Sequence, residues 1–382
     1  MQRIDVRVKA RQQSYQIKIG AGLLSSLGKE ARVSLDSTAR RVAIISNRTI
    51  FDLYGKRASQ NLRAEGFAVS QWLIGDGERY KSLPSLNQVL AFLSDKGFER
   101  SDVVIALGGG VVGDLAGFAA ATYMRGIGFI QVPTTLLAQI DASIGGKTGV
   151  NLPTGKNLAG AFHQPRAVLI DTDTLASLPR RELTAGWCEA IKHGAVGSRK
   201  LFDRTCEFLR RPFDKNHLAE IIVAHCRFKA SIVARDEREE VTRADRHSRR
   251  ILNFGHTTAH AIESLTGYRR FRHGEAVGYG MLVAGEISKN LGMLSASELE
   301  LLRQAVRWCG PLPRANDLAA GDVMKILARD KKSVAGTVKW ILLERLGRPR
   351  IVDGSEIPPG VLRSSLDAGL QDISSSGHKP DR

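Results

Sequence analysis

Short apolar runs alternate with amphipathic stretches over the first half of the chain. Five runs are rich in β-branched residues, and helical patterns such as LNQVLAFL (86–93) lie between several of them. Strands that alternate with helices indicate a parallel α/β sheet. The five predicted strands are 41–46, 69–74, 103–107, 129–132 and 167–170. Before them, the alternation of Ile4, Val6 and Val8, and then of Tyr15, Ile17 and Ile19, predicts a hairpin.

The hydrophobic period changes after Pro179, where strand patterns give way to long amphipathic helices. We therefore predict an α/β domain over 1–178, an all-α domain over 179–365 and a disordered tail over 366–382. One segment, 235–250, carries eleven charged residues in sixteen and is predicted to be a solvated loop. The predicted helices are 182–196, 216–235, 255–266, 273–291 and 296–308.

Composition narrows the class of protein. The chain has 382 residues, 43% of them hydrophobic and 25% charged, which is typical of globular domains. We find no run long enough to span a bilayer and no secretion signal, and the four cysteines form no CxxC pair, so we expect reduced thiols in a cytoplasmic protein. The net charge of +17 suggests nucleic-acid binding as one interpretation. Because the arginines are scattered and aromatic residues are only 6%, we expect anionic small molecules as ligands and no nucleic acid.

Glycine is concentrated in one region. Twelve of the 38 glycines lie between 108 and 160, where an even spread would place roughly five. Gly108, Gly110 and Gly113 form G-x-G-x-x-G between a predicted strand and a helix, the context of a dinucleotide-binding turn. A tight turn with close helix–strand packing is the other interpretation. The usual acidic residue about 20 positions later is missing, so Asp76 or Glu78, which follow the preceding strand, could bind the ribose instead.

Polar side chains follow in the rest of the glycine-rich region. The segment IDASIGGKTGVNLPTGKN contains Asp141, Lys147, Lys156 and Asn157. Lysines in glycine-rich turns suit the capture of phosphate or carboxylate. GxxxxGK[ST] is absent, so this is not a P-loop.

Three histidines and a glutamate suggest a metal site. His256 and His260 lie at i, i+4, His273 begins another predicted helix, and Glu189 lies on a third with Lys192 three residues later. Such residues can provide three ligands to a catalytic zinc ion and leave a position open. HExxH is absent, so a zincin is not expected. From spacing alone, a metal site and ordinary surface or core histidines remain equally good interpretations.

Eight segments, taken together and in order, are more specific than any one motif. The segments are DGERYKS (76–82), ALGGGVVGDLAGFAAATYMRG (106–126), QVPTTLLAQIDASIGGKTGVN (131–151), GKN (155–157), EAIKHG (189–194), LNFGHTTAHAIE (252–263), HGEAV (273–277) and RDKK (329–332). They resemble the 3-dehydroquinate synthase family, and the resemblance runs from about residue 2 to residue 365.

The resemblance implies a Rossmann-like NAD-binding domain, a helical metal-binding domain and a site between them. It implies that Glu189, His256 and His273 bind Zn²⁺ or Co²⁺. For NAD it implies the following residues: Asp76, Gly77, Glu78, Arg79, Tyr80, Lys81, Gly110, Val111, Val112, Gly113, Asp114, Thr134, Thr135, Lys147, Lys156, Thr174, Leu175, Ala176 and Ser177.

The resemblance also implies the substrate, 3-deoxy-D-arabino-heptulosonate 7-phosphate, whose two anionic groups explain the local lysines and arginines. The reaction would be transient oxidation by NAD, phosphate elimination, re-reduction and aldol closure to 3-dehydroquinate. A homodimer is implied, in which Arg125 reaches the phosphate in the partner subunit. The remaining implied substrate contacts are Asp141, Lys147, Asn157, Lys192, Lys229, Arg249, Asn253, His260 and either Lys331 or Lys332.

Some positions depart from the family pattern. The 240–248 loop is longer than usual, which leaves Arg249, Arg250 and Arg246 as alternatives for one substrate contact. Ala259 replaces a glycine, and Trp187-Cys188 replaces smaller residues beside Glu189. Two related activities therefore stay open: a cyclitol-forming sugar-phosphate cyclase, because few pocket contacts change substrate choice, and a polyol dehydrogenase that releases NADH.

Overall fold

The first half of the chain is built on a six-stranded parallel sheet. A computed structural model describes residues 14–371 except 36, 213 and 334–337, and it does not describe the side chains of 216 and 329–333. The strand order is β1-β8-β5-β4-β2-β3. The strands are β1 (Gln16–Gly20), β2 (Arg41–Asn47), β3 (Ala68–Ile74), β4 (Val103–Gly108), β5 (Gly128–Pro133) and β8 (Ala167–Asp171).

Helices cover both faces of this sheet. Strand β4 is central and every one of its residues is buried, as expected for a strand covered on both faces. One apolar cluster joins the sheet to α4 and α5, and another joins its opposite face to α1 and α3. These helices are α1 (Leu27–Ser34), α2 (Arg48–Ile50), α3 (Lys56–Ala64), α4 (Leu83–Asp95) and α5 (Gly110–Thr122). The parallel α/β prediction is confirmed.

The carboxyl ends of the strands carry the turns that matter for function. Strand β3 pairs with one side of β2, and β4 pairs with its other side, so the order of the strands reverses at β2. Such a switch point leaves a crevice at the carboxyl ends of the strands. Irregular single turns follow three of the strands. They are the 3₁₀ turn Glu78–Tyr80 after β3, the π-helical turn Ala138–Ala142 after β5 and the 3₁₀ turn Thr172–Ser177 after β8.

An antiparallel hairpin leaves the sheet after β5 and lies against α5. It consists of β6 (Lys147–Leu152) and β7 (Gly155–Phe162). The backbones of the two strands approach each other closely at Gly149 and Gly160, where a Cβ on Gly160 would lie 2.1 Å from the Thr148 carbonyl oxygen. Glycine is required there because any side chain would force the strands apart. Most of the residues that were predicted as glycine-rich turns thus lie in the two strands of this hairpin.

The second half is predominantly helical, as predicted. Its largest apolar cluster surrounds α10 and also includes residues of β8 and of the π-helical turn, so the two halves share one core. Its helices are α6 (Arg180–Gly197), α7 (Arg199–Arg210), α8 (Lys215–Val233), α9 (His256–Leu265), α10 (His273–Asn290), α11 (Ala296–Cys309), α12 (Ala320–Ser333) and α13 (Pro359–Gly369). Among the described residues, no helix is both long and apolar enough to cross a membrane.

Three details differ from the pattern-based prediction. The helical half also contains a hairpin of β9 (Lys339–Arg345) and β10 (Arg348–Asp353), whose strands are partly charged. Strand β1 pairs in parallel with β8, while the first strand of the predicted N-terminal hairpin lies outside the described residues. Leu366 and Leu370 are buried at the end of α13, so order extends past residue 365, and 372–382 lie outside the described residues.

Candidate active site

The glycine motif forms the turn from β4 into α5. Helix α5 begins at Gly110 without a side-chain cap, so its first backbone N–H groups face the carboxyl edge of the sheet. A Cβ on Gly108 would lie 2.7 Å from Val112, and one on Gly113 would lie 2.8 Å from the Gln131 side chain. Glycine thus serves close helix–strand packing here, and dinucleotide binding by this motif stays a prediction.

Thr134, directly after β5, carries an unpaired hydroxyl next to this turn. Its backbone N–H donates to the Gly108 carbonyl, and its Oγ1 is buried without a hydrogen-bond partner among the described residues. Thr135 differs, because its Oγ1 accepts the Ala138 N–H at 3.2 Å. A buried orphan hydroxyl is costly unless a ligand pairs with it. The Thr134 hydroxyl therefore fits a group bound at the α5 N-terminus.

The residues after β3 reach the same edge. Lys81 is buried, and its Nζ donates to Asp114 Oδ2 at 2.5 Å and to Asn157 Oδ1. Burial opposes both charges and raises the pKa of Asp114, while Asp114 in turn keeps the pKa of Lys81 raised. Asp76 accepts from Thr49 at 3.0 Å, and Glu78 accepts from Asn151 at 2.8 Å. This loop is thus tied to α5 and to the hairpin.

The turn after β8 closes the crevice. Gln139 Nε2 donates to Thr174 Oγ1 at 3.1 Å, and Tyr54 donates to the Thr174 carbonyl at 3.2 Å. Tyr54 and Ser177 share a further hydrogen bond at 2.5 Å. The predicted NAD residues of this turn therefore lie at the same edge as the glycine motif.

The three predicted metal ligands come together from three helices. The side chains of Glu189 on α6, His256 on α9 and His273 on α10 place their ligand atoms within 4.8 Å of one another. Glu189 is fully buried, and its Oε1 has no hydrogen-bond partner among the described residues. Burial and the Lys192 ammonium lower the pKa of His256 well below its usual value, so its ring is neutral and able to bind a metal. The donor set fits a tetrahedral ion with one open position.

A cluster of charges lies next to the metal ligands. Asp141, on the π-helical turn, accepts from Lys229 of α8 and faces His193 Nε2 at 3.4 Å. Lys192 Nζ lies 2.6 Å from Glu189 Oε2 and 3.9 Å from Asp141 Oδ2. Burial opposes the charge on Asp141, but Lys229 and Lys192 hold its pKa well below its usual value. Burial lowers the pKa of Lys229 to about 8, despite the nearby Asp141.

Arg249 is the arginine that the structure brings to this cluster. Its guanidinium is buried and donates to the Gly145 carbonyl at 2.9 Å and to the Glu237 carbonyl at 2.7 Å. Arg250 instead donates to the Val241 carbonyl at the surface, and Arg246, itself exposed, contacts the neighbouring His247. Among the three alternatives, burial and position therefore favour Arg249.

Each of the two hairpin lysines pairs with a carboxylate of the helical half. Lys147 pairs with Glu239, which also accepts from Asn253 at 2.9 Å. Lys156 donates to Glu263 at 2.9 Å. Asn157 has a φ of 57°, a left-handed conformation that asparagine tolerates, and contacts Lys81. The hairpin is thus bonded to the helical half through both lysines and to the β3 loop through Asn157, and contact of these side chains with a substrate stays a prediction.

One predicted residue, Arg125, lies away from the others. It is exposed in the turn Tyr123–Arg125, at the far end of α5, and a helix of that length spans about 20 Å. Arg125 is therefore at the opposite edge of the sheet from the glycine motif, and its contact with a phosphate in a partner subunit stays a prediction. Lys331 and Lys332 lie on α12, but their side chains are outside the described residues.

Three side chains of the site were not predicted from the sequence. Glu239, Glu263 and His193 contact Lys147, Lys156 and Asp141, respectively. A signal existed for Glu263, which lies seven residues after His256 and thus on the same helical face, and for His193, which lies four residues after Glu189 on one helix. Glu239 could be found only from the fold.

The departures from the family pattern are accommodated by packing. Trp187 packs against Phe208 with tilted rings whose centroids lie 5.1 Å apart, while Cys188 and Ala259 are fully buried. None of these three departures from the family pattern removes a ligand atom from the metal cluster.

Solved structures with this architecture identify the class. A 2-epi-5-epi-valiolone synthase from Streptomyces hygroscopicus, solved with NAD⁺ and Zn²⁺, matches with a TM-score of 0.82 and 25% identity over 95% of this chain and 99% of that one. A 2-deoxy-scyllo-inosose synthase, complexed with carbaglucose-6-phosphate, NAD⁺ and Co²⁺, matches with a TM-score of 0.80 and 26% identity over 93% and 96%. The chain therefore has the fold of the sugar-phosphate cyclases.

Sequence comparison identifies the family within that class. The model of the 3-dehydroquinate synthase N-terminal domain matches residues 71–185, and that of the C-terminal domain matches residues 186–333. The 3-dehydroquinate synthase of Acaryochloris marina is 44% identical over 376 residues, covering 96% of this chain and 98% of that protein. The chain belongs to the 3-dehydroquinate synthase family, and the predicted resemblance is confirmed.

Proposed function

We propose that this protein converts 3-deoxy-D-arabino-heptulosonate 7-phosphate to 3-dehydroquinate and phosphate, a step of aromatic amino acid biosynthesis. The observation that carries the proposal is the convergence, in one cleft, of a three-ligand metal cluster and a buried group of cations beside a glycine-rich helix start. The two sugar-phosphate cyclases compared above were solved with NAD⁺ and a divalent metal, and one of them also with a sugar-phosphate analogue.

Glu189, His256 and His273 would hold the metal, as Zn²⁺ or Co²⁺. The orphaned Glu189 oxygen and the neutral His256 ring support this assignment. Such an ion, when bound, acidifies a substrate hydroxyl that it contacts. Lys192, held against Glu189, keeps that carboxylate oriented.

NAD would lie along the carboxyl edge of the sheet, between the β3 and β8 turns. The α5 N-terminus and the unpaired Thr134 hydroxyl suit its phosphates, and Asp76 and Glu78 suit its ribose. NAD supplies a reversible hydride acceptor when bound. Lys81 and Asp114 would keep the loop closed over it.

The substrate would lie between the hairpin and the helical half. Its carboxylate and phosphate suit the cations Lys147, Lys229 and Arg249, of which Lys229 pairs directly with the ionised Asp141. Asn157, Asn253 and His260 would orient its hydroxyls. Such positioning holds one substrate through oxidation, elimination, re-reduction and ring closure.

We also propose a cytoplasmic homodimer. Strand β7 has an open edge whose Leu158 and Phe162 are exposed, and Arg125 lies away from its own site. A second copy could cover these side chains and receive Arg125 near its phosphate site. The four buried free cysteines support a reducing compartment.

One experiment separates the proposed reaction from its alternatives. The full chain, loaded with zinc and NAD, is incubated with the heptulosonate phosphate, and phosphate release and dehydroquinate formation are followed by mass spectrometry. We expect both products in equal amounts, with no accumulation of NADH. Turnover of sedoheptulose 7-phosphate alone would indicate a cyclitol-forming cyclase, and net NADH would indicate a polyol dehydrogenase.

A further inference from the structure

Helix α9 carries three polar side chains on one face. His256, His260 and Glu263 occupy positions i, i+4 and i+7, which brings them into one stripe along the helix. The first is a proposed metal ligand. Glu263 is a carboxylate nearly excluded from solvent, and a buried charge of this kind is costly unless other groups pair with it. Its partners therefore decide what it does.

One oxygen of Glu263 faces a metal ligand. Its Oε2 lies 3.4 Å from Nδ1 of His273, whose Nε2 lies 3.7 Å from Glu189 Oε1. A carboxylate on one nitrogen of a histidine fixes the proton there and leaves the other nitrogen free for the metal. Glu263 thus selects the tautomer and ring orientation that a ligand at this position needs.

The other oxygen of Glu263 faces the hairpin. Its Oε1 accepts from Lys156 at 2.9 Å, and the same ammonium lies 4.5 Å from the centre of the Tyr268 ring. Tyr268 follows α9, and its backbone N–H donates to the Glu263 carbonyl. The end of α9 therefore offers Lys156 both a carboxylate and an aromatic face, two favourable partners for an ammonium group.

We propose that Glu263 is a positioning residue with two simultaneous tasks: it orients His273 for the metal and it docks the β6–β7 hairpin through Lys156. The proposal rests on the proposed metal site. Because the hairpin carries Lys147, Lys156 and Asn157, one buried carboxylate would align the metal centre of the helical half with the substrate contacts of the α/β half.

The test is the substitution Glu263→Gln, which keeps the shape and removes the charge. Zn²⁺ affinity of the metal-free full chain is measured by competition with a chromophoric chelator, and amide hydrogen exchange is followed over 155–162. We expect the Zn²⁺ dissociation constant to rise by about 10- to 100-fold. We also expect the hairpin amides to exchange faster than in the unmodified chain.

Two further variants are needed to interpret that result. Lys156→Met should speed the same hairpin exchange while changing Zn²⁺ affinity much less. Glu286→Gln removes an equally buried carboxylate on α10 that pairs with Arg303 and Lys289, far from the cluster, and should change neither quantity. Thermal unfolding of each variant shows that the fold survives.

The outcomes distinguish this inference from the proposed function. If Glu263→Gln changes only one of the two quantities, or if Glu286→Gln changes both equally, the dual role is wrong. If His256→Ala binds Zn²⁺ as tightly as the unmodified chain, the metal site itself is misplaced. Loss of Zn²⁺ in His256→Ala with normal affinity in Glu263→Gln refutes only the role of Glu263.

Discussion

The crevice at the sheet edge and the cluster in the helical half are built in different ways. In the α/β half, backbone N–H groups and one hydroxyl face the crevice, and the buried Lys81 pairs with the partly buried Asp114. In the helical half, Glu189, Lys192, His193 and Lys229 are buried together, Lys192 pairs with Glu189, and Lys229 pairs with Asp141. The first site depends on local backbone geometry, and the second on side chains from four helices and turns.

The largest expected effect concerns the helical cluster. His256→Ala should remove the metal and reduce turnover by about a thousandfold or more, since a metal stabilises reacting charge by several kcal/mol. Metal content and turnover are measured on the same preparation. Chelation of the unmodified chain should give the same loss, reversed by Zn²⁺ or Co²⁺. Full activity in a metal-free preparation would contradict the three-ligand site.

A pH effect is expected where the two halves meet. Lys229 has a pKa of about 8, so its ammonium is present below that pH and is lost as the pH rises through it. If the ammonium binds a substrate anion, KM should rise by up to about tenfold per pH unit above 8. Lys229→Arg stays charged and should lack this rise. The same KM profile in Lys229→Arg would show that another group titrates.

A smaller effect is expected in the α/β crevice. Thr134→Val should weaken NAD binding by about 3- to 10-fold, the value of one hydrogen bond, without lowering the stability of the NAD-free protein. Thr135→Val is the matched control, because it loses a bond to the Ala138 N–H and should be less stable. NAD affinity is measured by calorimetry and stability by thermal unfolding. Unchanged NAD affinity in Thr134→Val would place the cofactor elsewhere.

The smallest effect concerns a departure from the family pattern. Ala259 is buried within α9, and Ala259→Gly should lower the free energy of unfolding by about 1 kcal/mol, because glycine is a poorer helix former. Zn²⁺ affinity should stay the same. Chemical unfolding and the chelator assay check the two expectations. A changed affinity would mean that Ala259 shapes the metal cluster.

Much of the fold could be predicted because its signals are local. The five predicted strands and five predicted helices match elements of the structure to within a few residues. A strand buried on both faces shows a short apolar run, and a helix buried on one face shows apolar residues at helical spacing, so both can be recognised in the sequence. The β9–β10 hairpin was missed because charged residues flank the apolar run of β9 and interrupt β10. The β6–β7 hairpin was missed because its strands are rich in glycine, asparagine and lysine, residues that are depleted in strands.

The sequence by itself determined the alternation of strands and helices, the glycine turn into α5 and the histidine spacing on α9. The tertiary structure decided which charges meet: Asp141 with Lys229, Lys147 with Glu239, and Glu263 with both Lys156 and His273. Periodicity reports the face on which a residue lies. Pairing depends on how distant segments pack, and burial makes each pairing necessary because an unpaired charge would be too costly.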